Sequence, residues 1–137
     1  MSASLSAIVQ SAASQLIEHG ELPLIGQYFS QDYVVHLSGQ DYGGGHKIVQ
    51  AAITQIRKAF PDLRVDVEIL LQGVDRVAWQ RTMRGVQQGA FKGFPACNRQ
   101  VVWREMLVSR VENGLIIEEW LSTDLAEQLL ASRKKSA

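Results

Sequence analysis

Leu63-Arg64-Val65-Asp66-Val67-Glu68-Ile69-Leu70-Leu71-Gln72 decides how this chain folds. Leu63, Val65, Val67, Ile69 and Leu71 alternate with Arg64, Asp66, Glu68, Leu70 and Gln72. A period of two describes a strand with one face on a core and the other toward water. Just upstream the period is different. Val49, Ala52, Ile53, Ile56 and Phe60 recur at helical spacing from about His46 to Phe60, and Pro61 stops that helix. The change of period at Pro61 divides the chain into a helical first part and a stranded second part.

Downstream, Gly73-Val74-Asp75 reads as a turn and Arg76 to Gln87 as a second strand. A third strand runs from about Arg99 to Glu112, Asn113-Gly114 is a hairpin signal, and a fourth strand spans Leu115 to Ser122. A last helix covers about Leu125 to Ser132. Upstream, Leu5, Ile8, Val9, Ala12, Ala13, Leu16 and Ile17 form one apolar stripe, predicting a helix over about 4–18 that ends near Gly20. Pro23 opens a short helix from Leu24 to Phe29. Asp32 to Leu37 is a short β-rich segment, and Gly43-Gly44-Gly45 before His46 reads as a mobile turn over a cavity mouth.

Early helices followed by consecutive hairpin strands define the α+β class. A curved antiparallel sheet wrapped with the N-terminal helices makes a cone enclosing a pocket, and that pocket is the place to look for a site. The chain has 137 residues, the size of one domain (about 100–150 residues). One domain is therefore expected over 1–137, with a loose basic tail at 133–137.

Lys plus Arg number 14 and Asp plus Glu number 14, a formal charge of zero. Without a cationic surplus, nucleic acid is not expected as a partner. No apolar run approaches the roughly 20 residues of a membrane span. The first Lys or Arg is Lys47, so no secretory or transit signal is read, and a cytoplasmic protein is expected. The single cysteine, Cys97, has no activating neighbour in the sequence, and no Cys/His spacing suggests a metal site.

Several strings, taken in order, point to a family. They are Asp32-Tyr33-Val34-Val35-His36, Ala59-Phe60-Pro61-Asp62-Leu63, Gly85-Val86-Gln87-Gln88-Gly89-Ala90-Phe91-Lys92-Gly93, and Asn113-Gly114-Leu115-Ile116-Ile117-Glu118-Glu119-Trp120 with Asp124 behind. Over about Gly20 to Leu130 the chain resembles the SnoaL-like polyketide cyclases of the nuclear-transport-factor-2-like superfamily. The resemblance implies the α+β cone, usually as a homodimer or higher homo-oligomer. It also implies cofactor-free intramolecular aldol chemistry, with the carboxylate after the Trp as acid/base. That carboxylate is Asp124, and His36 matches a frequent His at the end of the first strand. The chain departs from the group at Gln87, where a His is usual, and at Gln80, where an Arg is usual and Arg81 stands alongside.

Proton abstraction beside a carbonyl needs a base tuned toward the working pH and a donor for the enolate oxygen. Alternation along the last strand would put Ile116, Glu118, Trp120, Ser122 and Asp124 on one face, with Trp120 as an apolar wall carrying an indole N–H. Asp124 also has the spacing of a capping box with Glu127, so cap and catalyst are both open. His36 would polarise a carbonyl or relay a proton, unless it is a satisfied rim residue. Gln87 would orient a carbonyl as an amide donor, or simply end its strand. Gln80 and Arg81 complete the expected binding set.

The function expected is a cofactor-independent cyclase or isomerase acting on a small apolar carbonyl-bearing ligand. The rival is a non-catalytic binding cone, which the missing His and Arg favour. Epoxide hydrolysis would want an Asp–Arg–Asp network that these residues do not assemble. Val102, Trp103 and Met106 are read as one exposed sheet face suited to self-association.

Overall fold

The structure, a computed structural model, describes residues 4–134. Helix α1 (Leu5–Ala12) is capped by Ser4, whose hydroxyl accepts from the Ala7 N–H. The helix continues without a break into a π-helical turn, Ala13–Glu18, where the His19 N–H reaches back to the Ser14 carbonyl. The expected helix is therefore present, but its second half carries the wider i→i+5 winding. Arg57 closes the end of that turn by donating to the carbonyls of Ile17 and Glu18. A 3-10 turn (Leu22–Leu24) holding Pro23 leads into α2 (Ile25–Tyr28).

Strand β1 (Phe29–Leu37) begins earlier than the Val-rich segment suggests, and a short β2 (Gln40–Tyr42) follows it. Helix α3 (His46–Ala59) precedes β3 (Arg64–Gln72), β4 (Arg76–Val86), β5 (Gln100–Glu112) and β6 (Leu115–Thr123), and α4 (Leu125–Lys134) closes the order. Gly45 sits at φ +59 with its N–H on the Tyr33 carbonyl, and a Cβ there would lie 2.1 Å from the Gln31 carbonyl oxygen. Only glycine permits that approach, so the turn read as mobile is docked on β1.

The sheet order is β2-β1-β6-β5-β4-β3. Four of its five junctions are antiparallel, but β1 lies parallel to β6. The hairpin β5–β6 turns at Asn113 (φ 55) and Gly114 (φ 76), the mirror-image turn that this dipeptide favours. Extra residues at Leu70 in β3 and at Ile117 in β6, opposite Arg110 and Val111 of β5, bend the sheet. Its concave face holds Val77, Trp79, Leu107 and Ile116 against Val9, Leu16 and Ile53. At the other end Phe60, Met83, Val101 and Trp103 pack with Leu125 and Leu129 of α4.

Trp103 is thus a core residue, its ring 4.7 Å from that of Phe60. It points opposite to Val102 and Met106, which are exposed on the convex face. Asp66 is on that outer side too, bonded at 2.7 Å to Arg84. Arg133, expected in a loose tail, belongs to α4 and donates to the Pro95 carbonyl. The remainder of that tail from Lys135 onward lies outside the described residues. No helix among them is long and apolar enough to cross a membrane.

Candidate active site

Between the concave face and the helices lies a cavity of about 350 Å³. Most of its wall is apolar: Leu16 and Ile17 from the π turn, Val49 and Ile53 from α3, Phe29 and Val35 from β1. Side chains of β4, β5 and β6 form its floor. Inward positions alternate regularly along β5, where Val101, Trp103, Glu105, Leu107, Ser109 and Val111 are all buried. Two of those six positions are polar, and they organise the site.

Glu119 of β6 stands at the centre. The Tyr33 hydroxyl donates to its Oε1 at 2.7 Å, and the Ser109 hydroxyl donates to its Oε2 at 2.5 Å. The Trp79 indole N–H donates in turn to Ser109 Oγ at 2.9 Å. Beside this chain, the Arg81 Nε donates to Glu105 Oε1 at 2.7 Å, and the Trp103 indole donates to Glu105 Oε2 at 3.3 Å. Burial pushes the Glu119 carboxyl above the ordinary carboxylate range; the bonds from Ser109 and Tyr33 and the charge of Arg81 only partly oppose this. Burial, then the Glu119 charge, raises the Tyr33 hydroxyl as well.

Neither Glu119 nor Tyr33 stands out in the sequence, and the reason is one residue. Regular alternation from Asn113-Gly114 would pair Arg110 with Ile117 and Ser109 with Glu118. The observed pairs are Arg110 with Glu118 and Ser109 with Glu119, so Ile117 bulges. A bulge reverses the facing of everything beyond it. Glu119, Leu121 and Thr123 therefore face the cavity, while Glu118, Trp120 and Ser122 take the opposite face. The salt bridge between Arg110 and Glu118, at 2.9 Å, holds that register from outside.

The bulge moves Trp120 out of the cavity, and alternation along β1, with Tyr33, Val35 and Leu37 inward, turns His36 outward as well. Trp120 stacks on His36 on the convex side, ring centroids 5.2 Å apart. His36 bonds Asp41 through Nδ1 at 2.6 Å and Glu118 through Nε2 at 2.7 Å. Those two hydrogen bonds, Asp41 first, raise its pKa. Gln80 is likewise on the outward face of β4, opposite Trp79 and Arg81. Arg81 does line the cavity.

Gln87 points inward but is fully buried beneath the loop that joins β4 to β5. Its amide donates to the carbonyls of Gly89 and Phe94, both at 3.1 Å, and its Oε1 accepts from the Cys97 N–H. The amide pins a loop whose tip, Phe91 and Lys92, forms part of the cavity wall. Asp124 precedes α4, and its carboxylate is outside the lining. Its Oδ1 accepts from the Arg104 N–H at 2.7 Å and its Oδ2 from Gln128 Nε2 at 3.2 Å. The expected cap on Ala126 or Glu127 is not made; Thr123 Oγ1 accepts from the Leu125 N–H instead. Among the described residues no three His, Cys, Asp or Glu side chains gather as a metal site.

A model of the SnoaL-like polyketide cyclases matches residues 7–131. Solved structures share the fold. A candidate polyketide cyclase from Acidithiobacillus ferrooxidans superposes with a TM-score of 0.82 at 18% identity, covering 95% of this chain and 94% of its own. AclR, a candidate hydroxylase from Streptomyces galilaeus, gives 0.79 at 23%, covering 94% and 95%. IdmH, a candidate polyketide cyclase from Streptomyces antibioticus, gives 0.78 at 24%, covering 94% and 97%. No curated protein matches the chain in sequence.

Proposed function

Because the chain belongs to the SnoaL-like polyketide cyclase family, we propose that it is a cyclase or isomerase using acid/base chemistry on an apolar carbonyl compound, with Glu119 as the proton-transfer group. One observation carries this reading. A carboxyl kept basic by burial sits in an apolar cavity, and two hydroxyl donors converge on it from Tyr33 and Ser109, the latter held in turn by the Trp79 indole.

The ionised carboxylate accepts two hydroxyl protons. Its raised pKa makes it a better base for a carbon acid than an ordinary carboxylate. When Glu119 takes a proton from the carbon beside the substrate carbonyl, its new O–H turns to the Tyr33 oxygen. The Tyr33 O–H then turns from Glu119 toward the cavity, keeping its proton. The enolate carbon attacks the second carbonyl, a C–C bond forms, and the new alkoxide takes that Tyr33 proton while Glu119 resupplies Tyr33. The proton lost by carbon ends on oxygen, Glu119 returns to its carboxylate form, and no co-reactant is consumed. Trp79 and Ser109 keep the carboxyl oriented throughout.

The test follows deuterium exchange at the acidic carbon of an apolar β-keto ester by NMR. Wild-type protein should accelerate exchange, and Glu119→Gln should lower the rate by about 10²–10⁴-fold with circular dichroism unchanged. A folded Gln variant with undiminished exchange would remove the assignment. The rival, a binding cone without catalysis, is favoured by one feature: no buried side-chain N or O lacks a hydrogen-bond partner among the described residues. That reading requires tight binding of the ester with no exchange at all.

A further inference from the structure

Lys92 occupies an unusual place. It is at the tip of the β4–β5 loop, where Phe91 and Phe94 exchange both backbone hydrogen bonds at 2.9 and 2.8 Å around Lys92-Gly93. Both turn residues have positive φ, 44° and 86°. Among the described residues, the other non-glycine positions with positive φ are Ser38, Asn98 and Asn113. Lys92 is the one long side chain held in that region. Asn or Gly suits such a turn at lower cost, so a lysine there runs against local preference.

Its surroundings say what the lysine does. Lys92 and Phe91 are part of the cavity wall, and the Lys92 ammonium stands 5.5 Å from the Phe91 ring centroid. Arg81, the other cation of that wall, is matched by Glu105 at 2.7 Å. Lys92 makes no ion pair among the described residues. The Gln87 clamp fixes the base of the loop, so the tip is presented at the mouth instead of sweeping through solvent. The cavity thus has an apolar body, a proton-transfer group at its floor and an unmatched positive charge at its rim.

We propose that Lys92 recognises an anionic group, a carboxylate or sulfonate-like head, on the far end of an apolar ligand. The ligand would be a carbonyl compound bearing one negative charge, inserted apolar end first with its anion left at the mouth. This rests on the cavity being the small-molecule site, but it does not require Glu119 to be catalytic.

Two dyes of nearly the same shape separate charge from apolar contact: anilinonaphthalene sulfonate, which is anionic, and neutral N-phenylnaphthylamine. Fluorescence titration gives the Kd of each for wild-type protein, Lys92→Asn and Ala52→Phe. Asn keeps a residue suited to positive φ, so the turn is retained. Lys92→Asn should weaken the sulfonate about fivefold and leave the neutral dye unchanged, in line with a half-exposed ion pair. Added salt should weaken the sulfonate in wild type only. Ala52→Phe, which narrows the cavity from α3, should weaken both dyes. An equal effect of Lys92→Asn on both dyes, or none, overturns the proposal, as does sulfonate binding that ignores Ala52→Phe. The readout is binding alone, so loss of carbon-acid exchange would overturn the catalytic reading and leave this one standing.

Discussion

Tyr33 and Glu119 are 86 residues apart in the chain and meet at 2.7 Å across the parallel junction of β1 and β6. Neither end of the contact is local. The first strand returns beside the last one, and only that closure gives the buried carboxyl its second hydroxyl donor. The site therefore exists only in the completed fold.

Removing the hydroxyl with Tyr33→Phe should leave Glu119 Oε1 unpaired at low dielectric. We expect a loss of about 1–3 kcal/mol, measured by urea unfolding. The carboxyl should also become harder to ionise, because a bond that favours its charged form is gone; isotope-edited infrared spectra would follow this. An unchanged carboxyl titration would argue that Tyr33 does not stabilise the charged form.

The raised Glu119 carboxyl fixes the sign of one pH effect. Its folded pKa lies above the unfolded value, so its contribution is fully present below the ordinary carboxylate pKa. That contribution is lost as pH rises toward the folded pKa. Glu119→Gln should flatten this part of the stability profile. Thermal melts across the acidic and neutral range check it, and identical slopes in the two proteins would contradict it.

His36 predicts a second window on the opposite face. Both ring nitrogens meet carboxylates, so both bonds are made only by the imidazolium. The raised pKa means that its stabilisation is complete below the ordinary histidine range and is lost as pH climbs through the folded value. Proton NMR of His36 should show the upward shift, and Asp41→Asn should reduce it. Arg110, which shares Glu118, keeps that carboxylate engaged after His36 loses its proton.

Gln87→Leu should strip three hydrogen bonds from the β4–β5 loop while keeping an apolar stem in place. A loss of about 2 kcal/mol is expected, with faster amide exchange confined to residues 88–98. Exchange spread evenly over the sheet would show that Gln87 supports the core and not the loop.

Asp124→Asn retains an acceptor for the Arg104 N–H and disturbs only the Gln128 contact. Stability should fall by less than about 1 kcal/mol, and carbon-acid exchange should persist. A folded Asn variant without exchange would return the proton-transfer role to Asp124.

The strands, the long helix and the closing hairpin were legible because each rests on local pattern: alternation at Val65, Val67 and Ile69, helical spacing at Val49 and Ile53, and the turn chemistry of Asn113-Gly114. The family was legible for the same reason, since its strings lie within those elements. The site was not. Arg81 does face the cavity, but Glu119 was turned inward by the bulge at Ile117, and no local pattern in the sequence marks that bulge. Tyr33 sat within a quoted string without a role, because its partner is set by the parallel junction. Gln87 was placed on the correct face, yet its use as a loop anchor depends on backbone groups that only the closed loop presents. Trp103 shows the same limit: an aromatic at a strand centre does not tell which face is covered.

The bulge also has a consequence for how the chain reaches its native state. Strand β6 can dock on β5 in two ways that differ by a single residue and start from the same hairpin turn. The unbulged arrangement is the simpler one to zip from Asn113-Gly114, but it would bury Glu118 and Trp120 and turn Glu119 and Leu121 to water. It is a near-native competitor, close on the folding landscape and wrong in every inward position beyond the slip. The ion pair of Arg110 with Glu118 acts against it during assembly as well as afterwards. Weakening that pair should therefore produce a slow refolding phase from misregistered chains, in a protein whose finished cavity has not changed.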